Sequence, residues 1–366
     1  MVRKDLFQLI ETINLTNYKN FETIKFNFNT KIVCFVGLNG VGKTNILDSI
    51  YHLSNTKSYF NPIASQNIKH GESFFFISGK FEINEKEENI LVSLKKGEKK
   101  SIKRNNKTYK KFSDHIGLIP TVIISPTDTN LIIEGSEVRR KFVDSIISQI
   151  DKKYLDFLIN YNRTLKQRNA MLKMSINYDK SFKNTIDIYD NKLSQYGDII
   201  YKKRINFLSE FIPLFEKRYL QLSSDKEVVN IHYNSDINEK ISLFELLKDN
   251  LEKDIRYQYT THGIHKDDLN FVINKFPIKK FGSQGQQKTF LIALKLAQFD
   301  YLSKLSEIPI LLLDDIFDKL DDIRVKKIID LVNEENFNQI FISDTNKQRS
   351  ETIIKQVNKS YKIFEI

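Results

Sequence analysis

The 366-residue chain holds a single cysteine, Cys34, so no disulfide can form within it. That suits a reducing compartment, and a cytoplasmic setting is expected. Long apolar runs are missing too. The longest reach about five residues, as in Ile32-Val33-Cys34-Phe35-Val36, against roughly 20 for a membrane helix, so neither a transmembrane span nor a membrane partner is expected. The first residues soon run into Glu11 and lack the apolar core and small-residue cleavage site of a signal peptide. Acids are in deficit. Lys and Arg number 57 against 46 Asp and Glu, a net charge of +11, which favours a polyanionic partner, nucleic acid first. The excess is mostly lysine beside abundant Asn and Ile, so part of it also fits ordinary solvated faces.

What is present begins with Gly37-Leu38-Asn39-Gly40-Val41-Gly42-Lys43-Thr44, a G-x-x-x-x-G-K-T sequence directly after that apolar run. In such a loop the glycines let backbone N–H groups turn inward around the α- and β-phosphates. Lys43 reaches the β- and γ-phosphates, and the Thr44 hydroxyl can ligate Mg²⁺. A helix is expected from Lys43, with Ile46, Leu47, Ile50 and Leu53 on one face, and its dipole adds positive potential at the loop. A bland glycine turn would need neither the buried strand before nor the helix after.

Around the loop, residues 7–13 and 24–28 read as strands joined by the turn Asn17-Tyr18-Lys19-Asn20-Phe21, and further strands are expected near 74–83 and 89–94. Residues 95–111 carry nine basic side chains and one acid, Glu98, in a hairpin turning near Gly97 and Asn105-Asn106. Its lysines could line a phosphate backbone or simply protect a sheet edge. Pro120-Thr121-Val122-Ile123-Ile124-Ser125-Pro126-Thr127-Asp128 reads as a buried strand ending in a polar corner, before Gly135 and Arg139-Arg140.

The middle of the chain is poor in glycine and proline. Leu158, Tyr161, Leu165 and Leu172, then Ile186, Tyr189, Leu193, Tyr196 and Ile200, follow a heptad-like spacing. Two helices joined near 174–181 would form an antiparallel hairpin, each arm on the order of 30 Å long; an ordinary helical subdomain is the alternative. A strand near 227–233 and a helix near 243–253 follow. Thr261-His262-Gly263-Ile264-His265-Lys266-Asp267-Asp268-Leu269 pairs two histidines with two aspartates, but nothing else completes a metal site, so a hydrogen-bonded turn is expected.

The partner of the loop lies some 270 residues on. Ile308-Pro309-Ile310-Leu311-Leu312-Leu313-Asp314-Asp315 is a buried parallel strand ending in two acids, the form of a Walker B strand, at the carboxyl end where ligands bind in such sheets. Asp314 would hold Mg²⁺ and Asp315 would polarise the attacking water. Before it, Phe281-Gly282-Ser283-Gln284-Gly285-Gln286-Gln287-Lys288 opens a helix whose Phe290, Leu294 and Ala297 share a face. A serine hydroxyl and free N–H groups at a helix start can hold a γ-phosphate.

That last stretch resembles the signature sequence of ATP-binding-cassette ATPases, with Ser283, Gly285 and Gln286 matched, and Lys319-Leu320-Asp321 resembles their D-loop. With Leu15-Thr16-Asn17-Tyr18-Lys19-Asn20-Phe21, Thr56-Lys57-Ser58, Ser125-Pro126-Thr127-Asp128, Gln167-Arg168-Asn169 and Gly263-Ile264-His265-Lys266-Asp267-Asp268-Leu269, the chain resembles the SMC and Rad50 branch of these ATPases over essentially its whole length, and within that branch the RecF family. The resemblance implies an α/β ATPase head, a mixed sheet plus an antiparallel β lobe, with an inserted helical, short coiled-coil subdomain. Expected bounds are 1–145 for the first part of the head, 146–225 for the insertion and 226–366 for the rest. It further implies ATP and Mg²⁺ as cofactors, with Lys19 among the nucleotide-binding residues, and an ATP-dependent homodimer in which Ser283, Gly285 and Gln286 meet the ATP of a second copy. Gapped or single-stranded DNA and RecO- and RecR-type proteins are the implied partners. The implied role is RecA loading in gap repair, replication restart and the SOS response.

Two departures bear on rate. Asp315 stands where many relatives have Glu, and Ser343-Asp344-Thr345 stands where a switch histidine is common; both imply slow hydrolysis. The competing reading is a nuclease ATPase of the overcoming-lysogenization type, for which an added acidic metal-binding domain would be expected. A transporter subunit is disfavoured, because the basic, coiled insertion offers no membrane-coupling surface.

Overall fold

The computed structural model describes residues 8–174, 180–223, 227–238, 240–316, 325–327, 330, 337–357 and 360–366. It divides into two compact units: Met1–Thr129, Lys217–Asp225 and Gln284–Ile366 form the first, Asn130–Glu216 and Lys226–Ser283 the second. These bounds differ from the expected 145 and 225.

The first unit opens on β1 (Gln8–Tyr18) and β2 (Phe21–Asn27), then β3 (Ile32–Val36), α1 (Lys43–Asn55), β4 (Phe74–Ile83), β5 (Lys86–Lys95), β6 (Ser101–Arg104), β7 (Lys107–Thr108) and β8 (Thr121–Ile124). The chain then crosses the second unit through α2 (Asn130–Ile133), α3 (Ser136–Ile150), α4 (Lys152–Met174), α5 (Lys180–Leu222), β9 (Val229–Asn234), α6 (Leu243–Asp249), α7 (Leu251–Tyr257), β10 (Asp268–Ile273), β11 (Phe276–Pro277) and α8 (Ile278–Phe281). It returns to the first with α9 (Gln284–Leu305), β12 (Ile310–Leu313), β13 (Ile340–Asp344), α10 (Lys347–Ile354) and β14 (Tyr361–Glu365).

Two sheets build the first unit. An antiparallel one runs β2-β1-β4-β5-β6-β7, and a parallel one runs β14-β3-β13-β12-β8. β3, β8, β12 and β13 are buried at every position, which is why they read as unbroken apolar runs and not as alternation. One core joins the sheets and α1. Phe26 and Phe28 of the antiparallel side stack edgewise on Phe35, and Phe28 also meets Phe341. Gln339 adds a polar tie: its Oε1 accepts the Ile10 N–H at 2.7 Å and its Nε2 donates to the Ile10 carbonyl at 3.1 Å. α9 is buried almost all round from Thr289 to Phe299, not along the one face expected, because it lies inside the unit. The basic hairpin forms as anticipated. Asn105 and Asn106 turn at φ 47° and 65°, and Arg104 pairs with Glu88 at 2.5 Å.

In the second unit α4 and α5 are long helices whose seam differs from the predicted one. Along α4 the buried positions are Tyr154, Tyr161, Thr164, Arg168 and Leu172, while Leu158 and Leu165 are half-buried. Arg168 is fully buried, donating to Asp190 of α5 at 2.6 Å and to Asp254 of α7 at 2.6 Å. A charged residue at a seam position breaks the apolar heptad, and here two buried aspartates balance its charge. The expected joint near 174–181 lies largely outside the described residues. The return segment binds the helices: Arg204 of α5 donates to Asp267 at 3.0 Å and to the Ile264 carbonyl at 2.9 Å. These links place residues 226–283 with the helices. The polar cluster at 261–269 is a hydrogen-bonded turn, and among the described residues no group of three or more His, Cys, Asp or Glu could hold a metal.

Candidate nucleotide-binding site

The loop between β3 and α1 is held open by glycine geometry. Gly42 caps α1 at φ 116°, and a Cβ there would come within 2.5 Å of the Phe21 ring and 2.6 Å of the Asn20 amide. No other residue fits. Asn20 uses that closeness, donating from Nδ2 to the Val41 carbonyl at 2.8 Å and accepting from Asn45 Nδ2 at 2.8 Å. The β1–β2 turn thus braces the loop. At its other end Gly37 is close to the Ile366 carbonyl, where a Cβ would lie at 2.6 Å.

Lys43 is buried, and its Nζ donates to the carbonyls of Gly37 and Leu38 at 2.8 and 2.9 Å. Leu38 itself is 79% exposed at the rim. Thr44 crosses to the far half of the chain, its Oγ1 donating to Asp314 Oδ1 at 2.8 Å. The register makes this possible, since β12 and β3 flank β13 in parallel and end at the same edge. Ser343, at the end of β13, donates to the same Asp314 oxygen at 2.8 Å and accepts the Asp315 N–H at 2.9 Å. Burial pushes the Asp314 carboxyl up to about 6, against the bonds from Ser343 and Thr44 that favour its charged form. Asp315 sits in the left-handed region at φ 45°.

Lys19 is placed on α1: its amine lies 2.5 Å from Asp48. That buried carboxylate also accepts from Tyr18 Oη at 2.9 Å, Ser58 Oγ at 2.6 Å and the Tyr59 N–H at 2.7 Å. Tyr59 leads on to a second buried cluster. Its hydroxyl donates to Asp128, which pairs with Lys295 of α9 at 2.9 Å and accepts the Ser125 N–H at 2.8 Å. The corner at 125–129 thereby walls a cavity of ≈ 180 Å³ that Asp314, Asp315 and Lys288 also line.

Ser283 is exposed, and Gly285 and Gln286 are half-buried at the start of α9. The D-loop resemblance at 319–321 lies outside the described residues. Sequence reasoning missed Asn20, Ser343 and Lys295 as parts of this region. Asn20 lies within a motif already singled out, and Ser343 at the point of departure from the family pattern, so both carried a signal; Lys295 carried none.

The family model of the RecF/RecN/SMC N terminal domain matches residues 9–365. A protein of Flavobacterium johnsoniae, "DNA replication and repair protein RecF", is 56% identical over 98% of this chain and 99% of its own length. A solved structure of the recombination mediator protein RecF with ATP in the RecFOR pathway superposes with a TM-score of 0.90 at 32% identity, covering 100% of this chain and 97% of that one. An Smc head domain from Pyrococcus furiosus shares the fold, with a TM-score of 0.56 at 17% identity.

Proposed function

Because this chain belongs to the RecF/RecN/SMC N-terminal domain family and, within it, to the RecF proteins, we propose that it is an ATP-dependent, DNA-binding protein of replication and repair. The observation that carries the reading is the Thr44–Asp314 hydrogen bond of 2.8 Å, which brings loop and acidic strand together across 270 residues. A hydroxyl beside a carboxylate is the hard oxygen pair that Mg²⁺ takes, and a cation there would stabilise the charge that burial opposes on Asp314. Thr44 and Asp314 would hold the ion, which supplies charge neutralisation at the phosphates. Residues Gly37, Leu38, Asn39, Gly40, Val41 and Gly42 present backbone N–H groups, and Lys43 exchanges its two loop carbonyls for phosphate oxygens. Lys19 supports α1 through Asp48. Asp315 orients the attacking water.

Ser283, Gly285 and Gln286 serve the ATP of a second copy, so nucleotide joins two chains around DNA and hydrolysis releases them. Hydrolysis is slow, since Asp315 is a methylene shorter than Glu. In this reading the dimer acts in the cytoplasm at gapped or single-stranded DNA, with RecO- and RecR-type partners. It supports RecA loading, gap repair, replication restart and SOS induction. The test is gel filtration with ATP and gapped DNA. Wild type should dimerise, Asp315→Asn should persist as a DNA-bound dimer, and Ser283→Arg should stay monomeric. Monomers throughout would overturn the shared site.

A further inference from the structure

The second unit carries a surface that the nucleotide site does not use. The β10–β11 hairpin turns through Asn274 and Lys275, left-handed at φ 47° and 71°. Asn274 is fastened to Val228, accepting its N–H at 3.0 Å and donating its own N–H back to the Val228 carbonyl at 2.8 Å. From that anchored turn the next side chains diverge. Ile278 is buried, whereas the rings of Phe276 and Phe281 are 55% and 63% exposed with centroids 5.2 Å apart. Scattered apolar side chains on a surface need no explanation, but two large rings side by side in water mark a contact surface.

Cations interleave these rings. Lys275, Lys279 and Lys280 line a groove of ≈ 560 Å³ together with Asn230, His232 and Asn270. Lys279 donates to the Ile133 carbonyl at 2.6 Å, while Lys275 and Lys280 meet no carboxylate among the described residues. A groove with an apolar floor that includes Leu269 and Pro277, carrying three lysines and the side chains of Asn230 and Asn270, next in sequence to two exposed rings, matches a strand whose bases are unpaired: amines and amides meet phosphates and base edges, and phenyl faces stack bases. Duplex DNA hides its base faces, so it could use the lysines but not the rings. The ribbon at residues 95–111 is the contrast, basic along its length with no exposed aromatic ring.

We propose that the Phe276–Phe281 ledge and the adjoining groove are a contact surface for single-stranded DNA. This rests on the reading that the protein binds DNA and adds which residues meet which part of the strand. The test uses the full chain, fluorescence anisotropy with a labelled oligothymidine of about 20 nucleotides, and two double variants, Phe276→Ala with Phe281→Ala and Lys275→Gln with Lys280→Gln. All four side chains lie outside the core, so both variants should keep wild-type melting temperatures. The ring variant should bind about tenfold or more weakly with an unchanged salt dependence. The lysine variant should lower the slope of log K against log salt by about 1.4. Wild-type binding with both variants unchanged overturns the ledge alone. Loss of ATP-dependent dimerisation in the ring variant, with monomer DNA binding intact, also overturns it and assigns the rings to a second copy. A wild-type chain that binds no oligonucleotide overturns the DNA reading as well.

Discussion

At the scale of single residues, the chain spends its buried charge in a few places, each with a stated partner. Asp314 is the most exposed to test. Asp314→Asn keeps the shape and the Thr44 bond but removes the charge, so ATP affinity measured with a fluorescent analogue should fall at least about tenfold in Mg²⁺ and change little in chelator. Equal losses in both conditions would argue against a metal role. Arg168 is the structural counterpart. Arg168→Met leaves Asp190 and Asp254 buried without their cation and should cost about 3–5 kcal/mol in urea unfolding. Cys34 is a third case. It is fully buried, and burial pushes its thiol up to about 12, so a thiol reagent should label it only as the protein unfolds. Rapid labelling of folded protein would contradict the β3 packing.

Elements explain where local sequence was sufficient. β3, the loop and α1 were legible because each is a contiguous pattern: an apolar run, a glycine spacing, a helical face. β12 was legible for the same reason, an unbroken apolar run ended by two acids. The α4–α5 seam was only partly legible. Tyr161, Leu172, Ile186, Leu193 and Ile200 are buried as the spacing predicts, but Arg168 takes the seam position between Leu165 and Leu172 and pairs with Asp190, beside Tyr189, because a second carboxylate, Asp254 of α7, comes in from outside the two helices. α6 begins with a capping box, in which Ser242 accepts the Glu245 N–H and the Glu245 carboxylate accepts the Ser242 N–H. Ser242→Ala should therefore lower stability by about 1 kcal/mol by thermal or chemical unfolding. No change would mean that tertiary packing, not the cap, sets where that helix starts.

Across the whole molecule, two neutral buried histidines set a pH dependence. Burial holds His52 down to about 3 and His265 to about 4, and His265 Nε2 faces the Thr260 carbonyl at 3.0 Å while Nδ1 faces the Tyr161 hydroxyl at 2.8 Å. Below the ordinary value of 6.5 the unfolded chain takes up protons that the folded chain refuses. Their stabilisation is therefore full above pH 6.5 and is lost as pH falls toward 4. Asp314, Asp190 and Asp267 are raised by burial and act in the opposite sense, so the histidine effect is read by difference. On going from pH 7.5 to 5, wild type should lose more stability than His265→Gln, and parallel curves would contradict the assignment. Sequence alone determined the α/β class and marked the glycine loop and the acidic strand end that form the candidate site, since both are written in short-range patterns that any fold containing them must honour. Only the tertiary structure decided that Asn20 braces the loop, that Ser343 joins Asp314 to Asp315, that Lys295 is buried against Asp128, and that residues 226–283 belong with the helices. Those facts depend on polar side chains meeting across tens to hundreds of residues, and a lone Asn, Ser or Lys carries no periodicity to announce its partner.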